Sequence, residues 1–250
     1  MASIATATGS DVLFAHWPVA PDDLAAAVPD PLAVEAFDGS GWVSALAIRL
    51  TTVGPGSAPP PASFPRVPQL NLRTYVTLDG EPGVYFFSLD SGARLAALFG
   101  RGAFGLPVTR ARISARRRGE RIVFRSRRAG DRSAAFDARY CPSGDPAPAT
   151  PDTLAEFCVE RDRYFLPAAE DRRPVACDRD GVVRVGRITR EPWTLAPAEA
   201  TVRQDGLFAA AGLPEPDGEP TLAYSPGFEM GVEPVESRAV GRGTPDAGPG

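Results

Sequence analysis

The chain has no lysine: all 27 basic residues among its 250 are arginine. A side-chain Schiff base and a Walker-type phosphate lysine are both excluded, because each needs a primary amine at the site. His16 is the only histidine, which removes the H-E-x-x-H helix and most zinc designs, since these hold the metal with at least two imidazoles. Cys141, Cys158 and Cys177 are odd in number and form no C-x-x-C pair, so neither a disulfide framework nor a cysteine zinc site is indicated. No metal and no cofactor is expected. No apolar run approaches the roughly 18 to 20 residues that span a bilayer, and the opening MASIATATGS lacks the basic start and apolar core of a signal peptide. The expectation is a cytoplasmic protein with no membrane partner.

What is present, 43% hydrophobic and 23% charged residues, suits a chain that buries a sizeable core. Dense Gly and Pro punctuation with short apolar runs between predicts a mostly β fold with few helices. Trp42 to Ile48, Leu70 to Val76 and Val84 to Leu89 read as strands, the first two beginning or ending at Asp-Gly turns. Helices are predicted at Asp22 to Val28, at Ser91 to Leu98 behind a capping Ser91, and at Asp152 to Val159. Gly54 to Pro68 holds six prolines and reads as a long loop of the lid or binding type. Residues 1–10 are expected to be a flexible lead, 11–237 one domain, and 238–250 a disordered tail that buries nothing.

Between residues 110 and 128 nine positions are Arg and only Glu120 is acidic, so this segment carries +8 and the rest of the chain −12. Arg110, Arg112 and Arg116 alternate with Ala111, Ile113 and Ala115, and beyond Gly119-Glu120 Arg121, Arg125 and Arg127 alternate with Ile122 and Phe124. The pattern predicts an amphipathic hairpin with a basic face. Nucleic acid is not expected as its partner, because the acidic remainder repels a duplex and no interleaved aromatic offers bases a platform. A solvated face, or neutralisation by acidic groups including those of another subunit of a homo-oligomer, are the alternatives.

Several motifs recur in one order: Phe14-Ala15-His16-Trp17-Pro18-Val19, Phe37-Asp38-Gly39-Ser40-Gly41-Trp42-Val43, Asn71-Leu72-Arg73-Thr74-Tyr75-Val76, and Gly83-Val84-Tyr85-Phe86-Phe87-Ser88-Leu89-Asp90. With Gly105-Leu106-Pro107, Glu160-Arg161 before Tyr164, Pro192-Trp193 and Tyr224-Ser225-Pro226-Gly227, they resemble the YqjF-like family of conserved proteins, a domain of unknown function. The resemblance implies an acetoacetate-decarboxylase-like fold: a closed, largely antiparallel β-barrel with a few peripheral helices and a small-molecule cavity. Gly100 to Val108 is similar to the decarboxylase segment whose Pro-Lys supplies the imine-forming lysine, and the lysine position is Val108 here. The shared fold therefore does not imply the shared reaction. Gln69 is a second departure, since the family usually has Glu ahead of Asn-x-Arg-Thr-Tyr.

Asn71, Arg73 and Tyr75 are in phase on one strand, and Tyr85, Phe87 and Leu89 on the next. Facing inward, they form with Arg101 a ligand site of guanidinium, amide and phenol among aromatics, which suits an organic carboxylate or carbonyl compound. The competing reading pairs Arg73 with Asp90 or Glu160 and leaves Tyr75 as packing. His16 and Tyr75 are the candidate catalytic groups, His16 because its ordinary pKa lies near neutrality; as a lone histidine beside Trp17 it reads equally as structural. A Ser88–His16–Asp90 triad lacks the GxSxG elbow, and Trp42 and Trp193 read as anchors. The expected function is binding of a small organic ligand without lysine chemistry. A lysine-independent lyase or isomerase acting on a small carbonyl compound, and a structural or interaction protein with a basic hairpin, are left open.

Overall fold

The computed structural model describes residues 3–55, 67–92, 106–128, 130, 133–166 and 182–239. Seven strands close a ring: β1 (Ala5–Val19), β3 (Gly41–Pro55), β4 (Val67–Leu78), β5 (Glu81–Ser91), β10 (Arg163–Leu166), β11 (Val182–Arg190) and β14 (Thr221–Val232). Pairing runs β4–β3–β1–β14–β11–β10–β5 and returns from β5 to β4. All these pairs are antiparallel except β5 with β10. The ring is a barrel in the physical sense, because closing it removes the unpaired edges that an open sheet would carry. It is joined by β2 (Ala33–Val34) on β4 and β15 (Glu236–Ala239) on β11.

A second layer leaves the barrel at β5. There β6 (Val108–Arg118) pairs in parallel and continues into β7 (Arg121–Arg128), β8 (Ala134–Pro142) and, across the sheet, β13 (Ala198–Asp205). Ile122, Phe124, Phe136 and Tyr140 of this layer share a core with Leu13, Ala15 and Trp17 of β1 and with Leu70 and Leu72 of β4. The opposite faces of the same barrel strands, Val12 and Phe14 or Leu46 and Ile48, point into the barrel. Burial on both faces explains why β1 reads as a near-continuous apolar run rather than an alternating one.

The hairpin forms as the alternation predicts: Arg110, Arg112, Arg116, Arg121, Arg125 and Arg127 are exposed, while Ala111, Ile122 and Phe124 are buried. Asp137 on β8 pairs with Arg125 at 3.6 Å and with Arg127. Arg112 and Arg127 stand directly opposite each other, as do Arg118 and Arg121, an arrangement that costs stability. Arg112→Glu should therefore raise Tm slightly, by about 1–3 °C, in a thermal melt at low salt.

α1 spans Pro21–Ala27, and the short α2 spans Leu154–Val159 behind a Thr153 cap that accepts from the Glu156 amide. Two strands, β9 (Ala147–Pro148) and β12 (Thr194–Leu195), pair separately. Three expectations need correction. Residues 5–10 are the first part of β1, held between β3 and β14 rather than free. Ser91, placed at the start of a helix, belongs to the end of β5, because the pairing Gln69↔Ser91 extends the β4–β5 ladder that far; residues 93–98, the rest of that predicted helix, lie outside the described residues. Arg238 and Ala239 pair with Val183 and Val182 in β15, so the chain is ordered into the stretch assigned to the tail. The loop residues 56–66, Cys177 and the tail from residue 240 also lie outside the described residues. Among those described, no helix is long and apolar enough to cross a membrane.

Candidate functional site: a cavity inside the barrel

A cavity of about 200 Å³ occupies the barrel interior. From β4 it is lined by Gln69, Asn71 and Arg73, the in-phase residues of that strand, and Val108 stands on its wall at the start of β6. On the far side, Phe228, Met230 and Val232 of β14 and Ile188 of β11 complete it. Gly186 stands opposite Tyr164 in the β10–β11 pairing, and a Cβ there would come within 2.0 Å of the ring. The glycine is thus what lets Tyr164 lie across β11 and form part of the wall.

Four arginines line the cavity, and three have carboxylate partners. Arg161 meets Glu35 at 3.2 Å, Arg190 meets Glu160 at 2.9 Å, and Arg163 meets Glu81 and Asp162, each at 3.7 Å. Arg73, 9% exposed, has no carboxylate within ion-pair reach among the described residues. Its Nη2 donates to the Cys158 carbonyl at 2.7 Å, and its Nε is buried without a partner. Both alternative partners are engaged elsewhere, Asp90 with Arg128 at 2.5 Å and Glu160 with Arg190. Gln69 Nε2 donates to Asn71 Oδ1 at 2.6 Å.

Tyr75 continues the same face of β4 but lies behind the wall, fully buried against Phe157 of α2 with ring centroids 4.9 Å apart. Its hydroxyl is 2.5 Å from Ser44 Oγ, which is 2.6 Å from His16 Nδ1. Burial raises the Tyr75 phenol above the ordinary tyrosine value. His16 is pushed down to about 3, first by burial and then by the charge of Arg73, and is neutral at pH 7. Its Nε2 is buried with no hydrogen-bond partner among the described residues. Burial pushes the Cys158 thiol up to about 11. The chain His16–Ser44–Tyr75 is thus a neutral polar strut behind Arg73.

This burial has a measurable consequence. The unfolded chain protonates His16 below its ordinary value of 6.5, whereas the folded chain does not until about 3. Stability is therefore lost as pH falls through that window, at about 1.4 kcal/mol per pH unit. His16→Gln removes this contribution. Urea melts at pH 6.5 and pH 5 should show the wild type losing roughly 2 kcal/mol more than the variant. Equal losses would mean that His16 is hydrated and protonatable in the fold.

The second predicted strand face differs from expectation. The β4–β5 register breaks between Leu72 and Arg73, with Leu72 opposite Ser88 but Arg73 opposite Phe86. The extra residue on β5 is a β-bulge that reverses side-chain parity. Val84 and Phe86 before it, and Leu89 and Ser91 after it, face the cavity. Tyr85 and Phe87 instead pack outside, beside Val76 and Leu78, with their rings in edge contact at 5.4 Å. Ser88 and Asp90 both bond Arg128, so they form no triad with His16. Trp193 is a cavity wall, under the Arg190 guanidinium at 5.1 Å, and half-buried Trp42 donates to the Phe37 carbonyl. Arg101 lies outside the described residues. Arg161, Arg163 and Arg190 were not predicted, since nothing local distinguishes them from exposed arginines. Among the described residues no group of three or more His, Cys, Asp or Glu is placed to hold a metal.

Comparison with known proteins agrees with this architecture. Uncharacterized protein YqjF of Bacillus subtilis is 37% identical over 218 residues, which cover 87% of this chain and 86% of that one. Acetoacetate decarboxylase of Legionella pneumophila superposes with a TM-score of 0.65 at 14% identity, over 95% of this chain and 88% of its own. The enduracididine biosynthesis enzyme MppR in complex with pyruvate gives 0.63 at 12% identity, over 95% and 91%. At such identities these two show the fold alone. The family model DUF2071, uncharacterized conserved protein, matches residues 6–229, and the chain belongs to that family, built on an acetoacetate-decarboxylase-like fold.

Proposed function

We propose that this protein binds a small organic anion in the barrel cavity through Arg73, without imine chemistry. The observation that carries the reading is the buried guanidinium on the cavity wall with no carboxylate to neutralise it among the described residues. Leaving a cation desolvated and unpaired is costly, and a bound carboxylate removes the cost through two parallel hydrogen bonds. Asn71 supplies a second polar contact: its Oδ1 accepts from Gln69, which leaves Nδ2 as its side-chain donor toward a ligand. Val108 at the position of the decarboxylase lysine, and the absence of lysine throughout, support binding over amine catalysis. MppR, a protein of the same fold, is known in complex with pyruvate, a small organic anion.

Binding is favoured over turnover because His16 and Tyr75 are fully or almost fully buried and are bonded to Ser44 rather than to the cavity. The test is a thermal-shift panel of carboxylates and ketones. A ligand that binds only the native state raises Tm with concentration, as mass action requires. Carboxylates raising Tm while the matched primary amides do not is the expected result; a panel in which no anion moves Tm overturns the proposal.

A further inference from the structure

We infer that the cavity takes a monoanion with an apolar body, an aryl or aliphatic monocarboxylate, in preference to a short polar keto acid. The inference rests on the anion-binding reading above and adds the number of charges and the nature of the remainder of the ligand. The charge count comes first. Of the four guanidinium groups on the wall, three are offset by Glu35, Glu160 and the pair Glu81 and Asp162. Among the described residues one positive charge is left over. A second carboxylate on the ligand, away from the polar residues of β4, would meet either an apolar surface or an arginine already engaged, and would lose its hydration without a counter-charge in return.

Distribution of the lining comes next. In the seven-stranded ring, β4 and β14 are three steps apart in one direction and four in the other, so they face each other across the interior. The polar trio Gln69, Asn71 and Arg73 comes from β4, whereas Phe228, Met230 and Val232 come from β14. Ala5 and Ala7 of β1 and Ile188 of β11 flank them. Val108, at the position where the resemblance to the decarboxylases implies a lysine, extends the apolar surface to the β6 side. An anion held at Arg73 therefore directs the rest of the molecule at a hydrocarbon wall.

Size sets the body. An apolar cavity of about 150 Å³ accommodates benzene, so 200 Å³ has room for a ring or short alkyl chain besides a carboxylate. Pyruvate would leave much of the apolar wall in contact with trapped water. Each methylene moved from water onto that wall should strengthen binding about fourfold, until the space is filled.

The experiment is isothermal titration of the full-length protein with pyruvate, butanoate, hexanoate, 3-phenylpropanoate and neutral 3-phenylpropanamide. Affinity should climb from butanoate to hexanoate by about fifteenfold for two methylenes. 3-Phenylpropanoate should bind at least tenfold tighter than pyruvate and at least tenfold tighter than its amide. Val108→Thr, nearly isosteric, should weaken hexanoate several-fold more than it weakens pyruvate. Pyruvate binding as tightly as hexanoate and 3-phenylpropanoate overturns the apolar-body inference and leaves the anion reading standing. Binding of no carboxylate at all overturns both, and an amide as tight as its acid overturns both by removing the role of the charge.

Discussion

Arg73→Gln is expected to melt higher than the wild type in the absence of ligand, while binding carboxylates roughly 30-fold or more weakly. The two effects share one cause. Removing one partner of a buried, hydrogen-bonded charge pair costs about 2–5 kcal/mol of binding, which sets the affinity loss. Without ligand the same guanidinium is buried with, among the described residues, one hydrogen bond, to the Cys158 carbonyl, and an unsatisfied Nε. That bond and the Tyr75 ring, 5.8 Å from the guanidinium carbon, offset its desolvation only in part, so a neutral side chain of similar length should gain stability, enough to raise Tm by a few degrees. The sign separates function from structure: an arginine that held the fold together would give a lower Tm. Asn71→Asp tests the same charge from the other side. It introduces a carboxylate two residues along the same strand face, about 7 Å away between Cα atoms, on the cavity wall. Higher stability and weaker anion binding are expected together, because the new carboxylate competes for the group the ligand uses.

Arg73 and Asn71 were legible from parity because β4 is regular over the part that matters: period two places residues 69, 71 and 73 on one wall. The neighbouring strand followed the same rule and misled, since the bulge opposite Leu72 and Arg73 turns Tyr85 and Phe87 outward and brings in Val84 and Phe86. A bulge depends on the partner strand, and neither Gly nor Pro marks it in Phe86-Phe87-Ser88. The basic hairpin was readable for the opposite reason. Its two strands are local partners and its buried face is a simple alternation. The three neutralised arginines were invisible because their positions depend on long-range pairing, such as the parallel contact of β10 with β5. Arg161, Arg163 and Arg190 acquire cavity positions only when that ring closes. The barrel itself was readable only through motif resemblance, as composition and turns establish a β fold but not its closure.

Asp11→Asn is expected to lower stability by about 3 kcal/mol, which for a chain of this size is a fall in Tm of roughly 6–12 °C. Asp11 sits in the irregular stretch of β1 between Ser10 and Leu13, at φ 52°, with a side chain only 4% exposed. One carboxylate gathers groups from three strands. It pairs with Arg49 of β3, accepts from Arg117 of β6 at 2.6 Å, and accepts from the Tyr224 hydroxyl of β14 at 3.1 Å. The Asp11 carbonyl also accepts from Tyr140 of β8 at 2.6 Å. These contacts fasten the outer sheet across the barrel where β1 lacks a regular ladder. Asparagine keeps the shape and tolerates the positive φ, so the substitution isolates the charge. It leaves Arg49 and Arg117 sharing a site with no counter-ion. Arg117 is 44% exposed, so solvent screens its share, and the lower end of the range for a broken buried pair applies. A second substitution, Arg117→Met, should recover part of the loss when combined with Asp11→Asn while costing stability in the wild type, a coupling that a double-mutant cycle measures directly. Hydrogen exchange should locate the damage: amides of β6, β7 and β8 should lose protection before those of β3 and β4, since the outer sheet is the part the carboxylate ties down. Uniform loss across both layers, or a destabilisation below about 1 kcal/mol, would mean that packing of Phe124 and Phe136 against the barrel holds the sheet without the Asp11 carboxylate.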